Sequence, residues 1–465
     1  MRKATFVGLL ALGLSAVGCG GAGDDAGSDE SALGANTTYV KNLTDGVAVR
    51  RSLLADLGRA EREIDVSMFL FFNDPSGREV ADALIARASD RARPVKVRVM
   101  MDLLKTRFGA PFTADAAGLA ARLRAGGVEV VDTNVDYDRP AATGHPEWDA
   151  EGARIARQVL DAFDVLHTDH RKLVVIDGRI VYLGSANLGR EYLYSEPFDR
   201  SLDAAAEAEA RRARGLPEAW EKWHDGLVRF EGGALGREVV DVFRQRWVLD
   251  GGRDFAPVTV ARAVSSDAGE PVRAARLVTG APNGQENPVK QLFVEQIRAA
   301  KTSIFIENPY FYHPDVIDAL VDARAKNPRL RVDLVMPAPA LNDSAQSARA
   351  QVFRYPRLVA MGVAVHEYQH HFSHLKIATF DERRTIVGSA NLNYRSLERD
   401  RDFEIAALVD CAPLARSVNA DVRDVDVRAS RSIGQAELDP SRNPEAWKYT
   451  TRDPLTFWLE NAREL

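Results

Sequence analysis

His170-Arg171-Lys172-Leu173-Val174-Val175-Ile176-Asp177-Gly178 is repeated about two hundred positions later as His374-Leu375-Lys376-Ile377-Ala378-Thr379-Phe380-Asp381. Each copy leads at the same distance into a tetrapeptide, Gly184-Ser185-Ala186-Asn187 in the first and Gly388-Ser389-Ala390-Asn391 in the second. Both therefore read His-x-Lys-x4-Asp-x6-Gly-Ser-x-Asn. A histidine taken alone is more often a surface or core residue than a catalyst, but a whole spaced set occurring twice points to duplicated machinery. In each copy an apolar run, a turn at the aspartate and a returning run predict a strand-turn-strand. Residues two apart on a strand share a face, so His170 projects with Lys172, and His374 with Lys376. The returning strand ends at Gly184-Ser185, which brings Ser185 and Asn187 back towards that face.

The self-similarity extends outwards. Residues 52–62 have helical periodicity and lead into an apolar strand at 64–72, and residues 289–301 lead into 303–311 in the same way. Each strand is followed by a turn, Asn73-Asp74-Pro75 or His313-Pro314-Asp315, and then a helix. Further strands are predicted at 95–100 and 330–336, and at 127–131 and 362–365. Alternating strands and helices predict an α/β fold. Repetition over about two hundred residues predicts two duplicated α/β/α sandwich domains with mixed sheets rather than a short-repeat solenoid. The expected boundaries are 37–250 for the first domain and 276–465 for the second, joined by a Gly-, Pro-, Ser- and Asp-rich linker at 251–275.

A chain of 465 residues is too long for one ordinary core, which agrees with two domains. With 45% apolar and 28% charged residues the composition is that of a soluble globular protein. A net charge of -6 gives no whole-molecule attraction to nucleic acid or anionic lipid, and no nucleic-acid partner is expected. Arg2 and Lys3 precede an apolar run over 5–18 that is too short to span a bilayer and right for a secretory segment. The run ends Leu14-Ser15-Ala16-Val17-Gly18-Cys19, which resembles a bacterial lipobox. Residues 1–18 are thus expected to be a signal peptide, Cys19 a lipidation site, and 19–36 an acidic tether holding the protein at a membrane. Gly20 after the cysteine favours the outer membrane of a bacterial cell envelope. The remaining cysteine, Cys411, leaves no internal disulfide framework and is expected to be buried.

The duplicated frame matches the HKD signature of the phospholipase D superfamily, and its flanks look most like cardiolipin synthase-type members. The resemblance also rests on Phe72-Asn73-Asp74-Pro75, Gly189-Arg190-Glu191-Tyr192-Leu193, Val365-His366-Glu367-Tyr368-Gln369, Asn393-Tyr394-Arg395-Ser396 and Asp402-Phe403-Glu404. It implies the phospholipase D fold with one active site at a pseudo-two-fold interface, in a chain acting as a monomer. It implies a glycerophospholipid substrate, with water or an alcohol as acceptor. Synthases of this type usually begin with membrane-spanning helices; this chain begins with a lipoprotein-like leader.

The chemistry asks for the same residues. A phosphodiester repels nucleophiles, so its non-bridging oxygens need cationic and hydrogen-bond donors. Lys172, Lys376, Asn187 and Asn391 suit that task without metal or other cofactor, and Ser185 and Ser389 add hydroxyl donors. One imidazole attacks phosphorus to give a phosphohistidine; the other protonates the departing alkoxide and then deprotonates the acceptor. In members of the family the attacker is often the N-terminal histidine, which favours His170. Each imidazole needs an acceptor on its other nitrogen. By resemblance, Glu404 would serve His374 and Asp225, in Trp223-His224-Asp225-Gly226, would serve His170. Asp225 lies 38 positions after Asn187 and Glu404 only 13 after Asn391, the excess holding a charged helical insert at 202–214. Asp177 and Asp381 are expected to be structural. His145, His224 and His313 receive no role, and neither does the run His366, His370, His371 as a metal site. The competing functions are an HKD nuclease and an envelope binding or toxin-like protein.

Overall fold

The computed structural model of this chain describes residues 37–103, 115–133, 143–161, 167–196, 222–232, 234–261, 263–398 and 401–450, with 206, 209 and 213 as single positions. The leader, Cys19 and the tether lie outside the described residues, as does nearly all of the charged insert. The described residues belong to one compact unit, Ala35–Leu465.

Two eight-stranded mixed sheets form its centre. The first holds β1 (Tyr39–Thr44), β2 (Glu63–Met68), β3 (Lys96–Met101), β4 (Glu129–Asp132), β5 (Lys172–Ile176), β6 (Ile180–Gly184), β7 (Gly226–Glu231) and β8 (Glu270–Pro271). The second holds β9 (Ala274–Gly280), β10 (Ser303–Glu307), β11 (Arg331–Pro337), β12 (Ala364–Tyr368), β13 (Ile377–Phe380), β14 (Arg384–Gly388), β15 (Glu404–Asp410) and β16 (Ser430–Ile433). Their orders are β4-β3-β2-β5-β6-β7-β1-β8 and β16-β12-β11-β10-β13-β14-β15-β9. Seven strands correspond one to one, and so do their directions. β2, β3 and β4 run parallel, as do β10, β11 and β12, and the motif strands β5 and β13 lie antiparallel against β2 and β10.

The expected boundary between the halves shifts. β8 falls inside the stretch expected to be a linker and pairs with β1, so that stretch completes the first sheet. β9 begins at Ala274 and pairs with β15 along its whole length. The strand expected at 64–72 is shorter: β2 ends at Met68, and beyond it Phe71 makes only an isolated bridge to Leu188.

Alternation along the motif strands explains how the sheets meet. On β5, Val174 and Ile176 pack into the core under the first sheet, while Leu173 and Val175 face a core shared with the second half. On β13, Ala378 and Phe380 face the second half's own core and Ile377 the shared one. The shared core adds Val181, Leu183, Phe305, Val335, Val387 and Ile405. Each fully buried Val or Leu there contributes about 1.5–3 kcal/mol, so the interface between the halves is itself a hydrophobic core. Cys411 is buried beside it and makes no disulfide.

The motif aspartates hold this framework. Asp177 and Asp381 sit in the hairpin turns at φ 56° and 55°. The Asp177 carboxylate accepts from the backbone N–H groups of Glu61, Arg62 and Glu63. Asp381 accepts from those of Lys301, Thr302 and Ser303. Each ties its hairpin to the loop entering β2 or β10, and neither reaches the histidines of its motif.

Candidate active site

Two short parallel bridges join the halves, Asp169 with Phe403 and His224 with Ser373. The His170 N–H donates to the Phe403 carbonyl at 3.0 Å, and the His374 N–H to the His224 carbonyl at 2.8 Å. In each bridge the residue before a motif histidine lies beside the residue before a carboxylate of the opposite half. The imidazole and the carboxylate that follow are therefore brought together across the interface.

The acid pairing is crossed as a result. His170 Nδ1 lies 2.9 Å from Glu404 Oε1, and His374 Nδ1 2.6 Å from Asp225 Oδ2. This corrects the expectation that each acid serves the histidine of its own half. Each acid follows the motif of its own half along the chain, and the bridges exchange the partners. An Nδ1–H held by a carboxylate leaves each Nε2 directed into the site.

The serines also differ from expectation. Ser185 Oγ donates to Asp225 Oδ1 at 2.5 Å and Ser389 Oγ donates to Glu404, so both hydroxyls orient the acids rather than point at a phosphate. Asp225 gains a further bond from the Gly226 N–H at 2.7 Å. Lys172 Nζ donates to the His170 carbonyl at 2.5 Å, and Lys376 Nζ lies 2.9 Å from His374 Nε2 and 3.0 Å from its carbonyl. Asn187 Oδ1 accepts from the Leu70 N–H, which fixes the loop after β2. Asn391 Oδ1 is buried without a hydrogen-bond partner.

Burial and like charge disfavour cations here. Desolvation, then the neighbouring Lys172 and Lys376, hold His170 well below its ordinary value. Desolvation and Lys376 take His374 down to about 4. Lys172 is likewise lowered by burial and by Lys376, and burial brings Lys376 down to about 8. For Asp225, burial acts upward, but His374 and Lys376 outweigh it and the carboxyl ends below its usual range. Glu404 moves the other way, since burial exceeds the pull of Lys172 and its serine bonds. An anion bound in this buried space would favour the protonated forms of both lysines and both imidazoles.

Aromatic rings line the two imidazoles unequally. His374 has Tyr192, Trp223 and Phe372 at centroid distances of 5.8, 5.3 and 5.8 Å. His170 has Phe69 at 5.0 Å, and Lys172 Nζ lies 4.9 Å from the same ring. Reading the sequence missed these rings, although Trp223 and Phe372 stand two positions before Asp225 and His374. It also gave His224 no role, yet this buried imidazole reaches Asp45 Oδ1 at 3.0 Å and Asp426 Oδ2 at 2.9 Å. His313 caps a helix by accepting from the Asp315 N–H, and His145 pairs with Asp254. His366 contacts Ser432, away from the motif frame.

Comparison with known proteins gives a consistent picture. Residues 53–206 and 293–425, more than half of the chain, match the family described as "Cardiolipin synthase, PLD-like domain". A cardiolipin synthase of Geobacillus kaustophilus (strain HTA426) is 25% identical over 369 residues, 79% of this chain and 62% of that protein. Cardiolipin synthase 1 of Bacillus anthracis is 24% identical over 416 residues, 86% of this chain and 68% of the relative. The chain thus spans less than two thirds of the first of these relatives. Among solved structures, the phosphatidylserine synthase of Haemophilus influenzae Rd KW20 aligns with a TM-score of 0.59 at 14% identity. That alignment covers 92% of this chain and 95% of the other, and the likeness is one of fold.

Proposed function

Because this chain belongs to the cardiolipin synthase, PLD-like domain family, we propose that it is a phospholipase D-type enzyme that transfers phosphatidyl groups of glycerophospholipids to an alcohol or to water. A cardiolipin synthase-like transfer to phosphatidylglycerol is the most specific form of this reading. The observation that carries it is the pair of crossed dyads, His170 with Glu404 and His374 with Asp225, beside Lys172 and Lys376.

His170 is the nucleophile. Lys376 already engages Nε2 of His374, whereas no hydrogen bond from a described residue engages Nε2 of His170. His170 Nε2 attacks phosphorus as the bond to the leaving oxygen breaks, giving a phosphatidyl-histidine. The anionic phosphodiester favours the imidazolium form of His374, whose Nε2–H protonates the departing alkoxide. His374, now neutral, takes the proton of the incoming hydroxyl, whose oxygen attacks phosphorus as the bond to His170 breaks. Two inversions leave the configuration at phosphorus retained. Lys172, Lys376 and Asn391 supply the donors to the non-bridging oxygens.

Both halves of the site come from one chain, so a monomer suffices. A diacylglycerol on Cys19, followed by the tether, would hold the enzyme at a membrane of the bacterial envelope; no helix among the described residues is long and apolar enough to cross one. The test is incubation of the purified protein with phosphatidylglycerol, with and without a second alcohol, and identification of products by mass. Cardiolipin with glycerol supports transfer, phosphatidic acid supports hydrolysis, and no turnover of any phospholipid refutes the reading.

A further inference from the structure

Behind the His374–Asp225 dyad lies a second polar cluster. His224 precedes Asp225 and Ser373 precedes His374, and both are wholly buried in the bridge between the halves. Glu307, the last residue of β10, and Asp426, in the helix Asp424–Arg428, reach the same point from the second half. His224, Glu307 and Asp426 are each 0% exposed, and one ligating atom from each lies within 4.8 Å of the others.

The other bridge shows what this position requires. There Arg246 lies 3.3 Å from Asp169 and 2.9 Å from Asp250, with its guanidinium 3.9 Å from the Phe403 ring centroid. Arg246 belongs to the helix Leu235–Leu249 that follows β7; the corresponding region after β15 carries Asp426. One bridge is thus backed by a permanent cation. The other is backed by carboxyl groups, with His224 as the basic partner of Asp45, Glu307 and Asp426 alike.

We propose that His224, Glu307 and Asp426 bind one divalent cation of the zinc class, which takes the place at this bridge that Arg246 takes at the other. The geometry of the imidazole suits a ligand. Its Nδ1 lies 3.0 Å from Asp45 Oδ1, so an Nδ1–H donated there orients the ring as in metal-bound histidines, and a metal ion would displace the proton that Nε2 shares with Asp426 Oδ2 at 2.9 Å. Nε2 stands 2.9 Å from Asp426 Oδ2 and 3.9 Å from Glu307 Oε1, so both carboxyl groups lie near the separation of about 3.3 Å expected between two ligands of a tetrahedral zinc ion. Glu307 supplies the independent sign of a ligand, because its Oε2 is buried with no hydrogen-bond partner while Oε1 accepts from Ser373 Oγ at 2.5 Å. One nitrogen with carboxylate oxygens suits zinc better than a thiolate-seeking metal. The ion is structural: it fixes the backbone from which Asp225 and His374 project and takes no part in phosphoryl transfer.

The test uses the full chain, produced with and without added zinc, gel-filtered in chelator-free buffer, and measured for metal by mass spectrometry and for thermal unfolding. Wild type is expected to retain one zinc per chain when supplied with it, and to unfold at a higher temperature than the metal-poor protein. Glu307→Gln keeps the shape of a neutral carboxylic acid and so keeps the fold, but it offers no anionic ligand. Its retained zinc is expected to fall at least about tenfold. His370→Ala, in the histidine-rich run outside this cluster, is expected to retain zinc as wild type does. Wild type that holds no zinc, Glu307→Gln that holds as much as wild type, or loss of zinc in His370→Ala would each overturn the proposal. A cluster held by protons alone would give the first of these results and would leave the catalytic reading untouched.

Discussion

Asp225→Asn isolates the contribution of one crossed carboxylate. Asp225 is buried at 1% exposure and touches His374 Nδ1 at 2.6 Å, Ser185 Oγ at 2.5 Å and the Gly226 N–H at 2.7 Å. Asparagine preserves the volume and can still accept from Ser185 and Gly226, so the fold should persist. What disappears is the negative charge opposite the imidazolium that forms when His374 takes a proton. A hydrogen bond to a charged group contributes about 1.5–3 kcal/mol, and the lost attraction at an effective dielectric near 20 is of similar size. We expect about 2–4 kcal/mol less transition-state stabilisation, or roughly 30- to 1,000-fold in kcat with little change in KM. The assay is initial-rate turnover of phosphatidylglycerol in mixed micelles, with products followed by mass. A fall in kcat of less than about threefold would refute the reasoning. The crossing makes a further demand, read by NMR of labelled imidazoles. Asp225 acts to raise His374, so its removal must drive that histidine further below about 4. A shift confined to His170 would contradict the geometry.

Other perturbations separate structure from chemistry. Asp177→Ala removes the acceptor of three backbone N–H groups, and should cost about 2–4 kcal/mol in denaturant unfolding; an unchanged midpoint would show the turn does not need it. With Lys376 held near 8 rather than 10.5, its ammonium is present below that pH, so kcat/KM should fall as pH rises through about 8; a profile flat to pH 10 would exclude an essential Lys376 cation. His374 is lowered from 6.5 to about 4 on folding, so the unfolded chain binds the extra proton between those values. Its contribution to stability is therefore complete above 6.5 and is lost as pH falls towards 4, and His374→Asn should flatten that part of the stability curve. Cys19→Ala should move the protein from the membrane to the soluble fraction, and unchanged fractionation would exclude lipidation.

Much of this site can be read from the sequence because its parts are local. The frame from His170 to Asn187 fixes a hairpin by strand period and turn chemistry, and its recurrence at His374 reveals the duplication without any long-range information. Asp177 and Asp381 can be recognised as structural because an aspartate in a tight turn tolerates positive φ and bonds nearby backbone. The crossing of the acids cannot be read in this way. It depends on Asp169 pairing with Phe403 and His224 with Ser373, contacts spanning much of the chain that no local pattern encodes. The role of the serines is hidden for a related reason: a hydroxyl near a site looks the same in sequence whether it donates to substrate or to a buried carboxylate. β8, within the expected linker, is hidden because a two-residue edge strand containing a proline leaves no periodic pattern. His224 was passed over as a lone histidine, although its neighbour Asp225 already marked the segment.

A single shared site with His170 as its nucleophile limits the covalent intermediate to one residue. Rapid-quench mixing of the enzyme with phosphatidylglycerol, followed by peptide mass mapping under alkaline conditions, counts and locates the covalent phosphatidyl group. At most one adduct per chain is expected, on His170. Two adducts per chain, or one carried by His374, would contradict it.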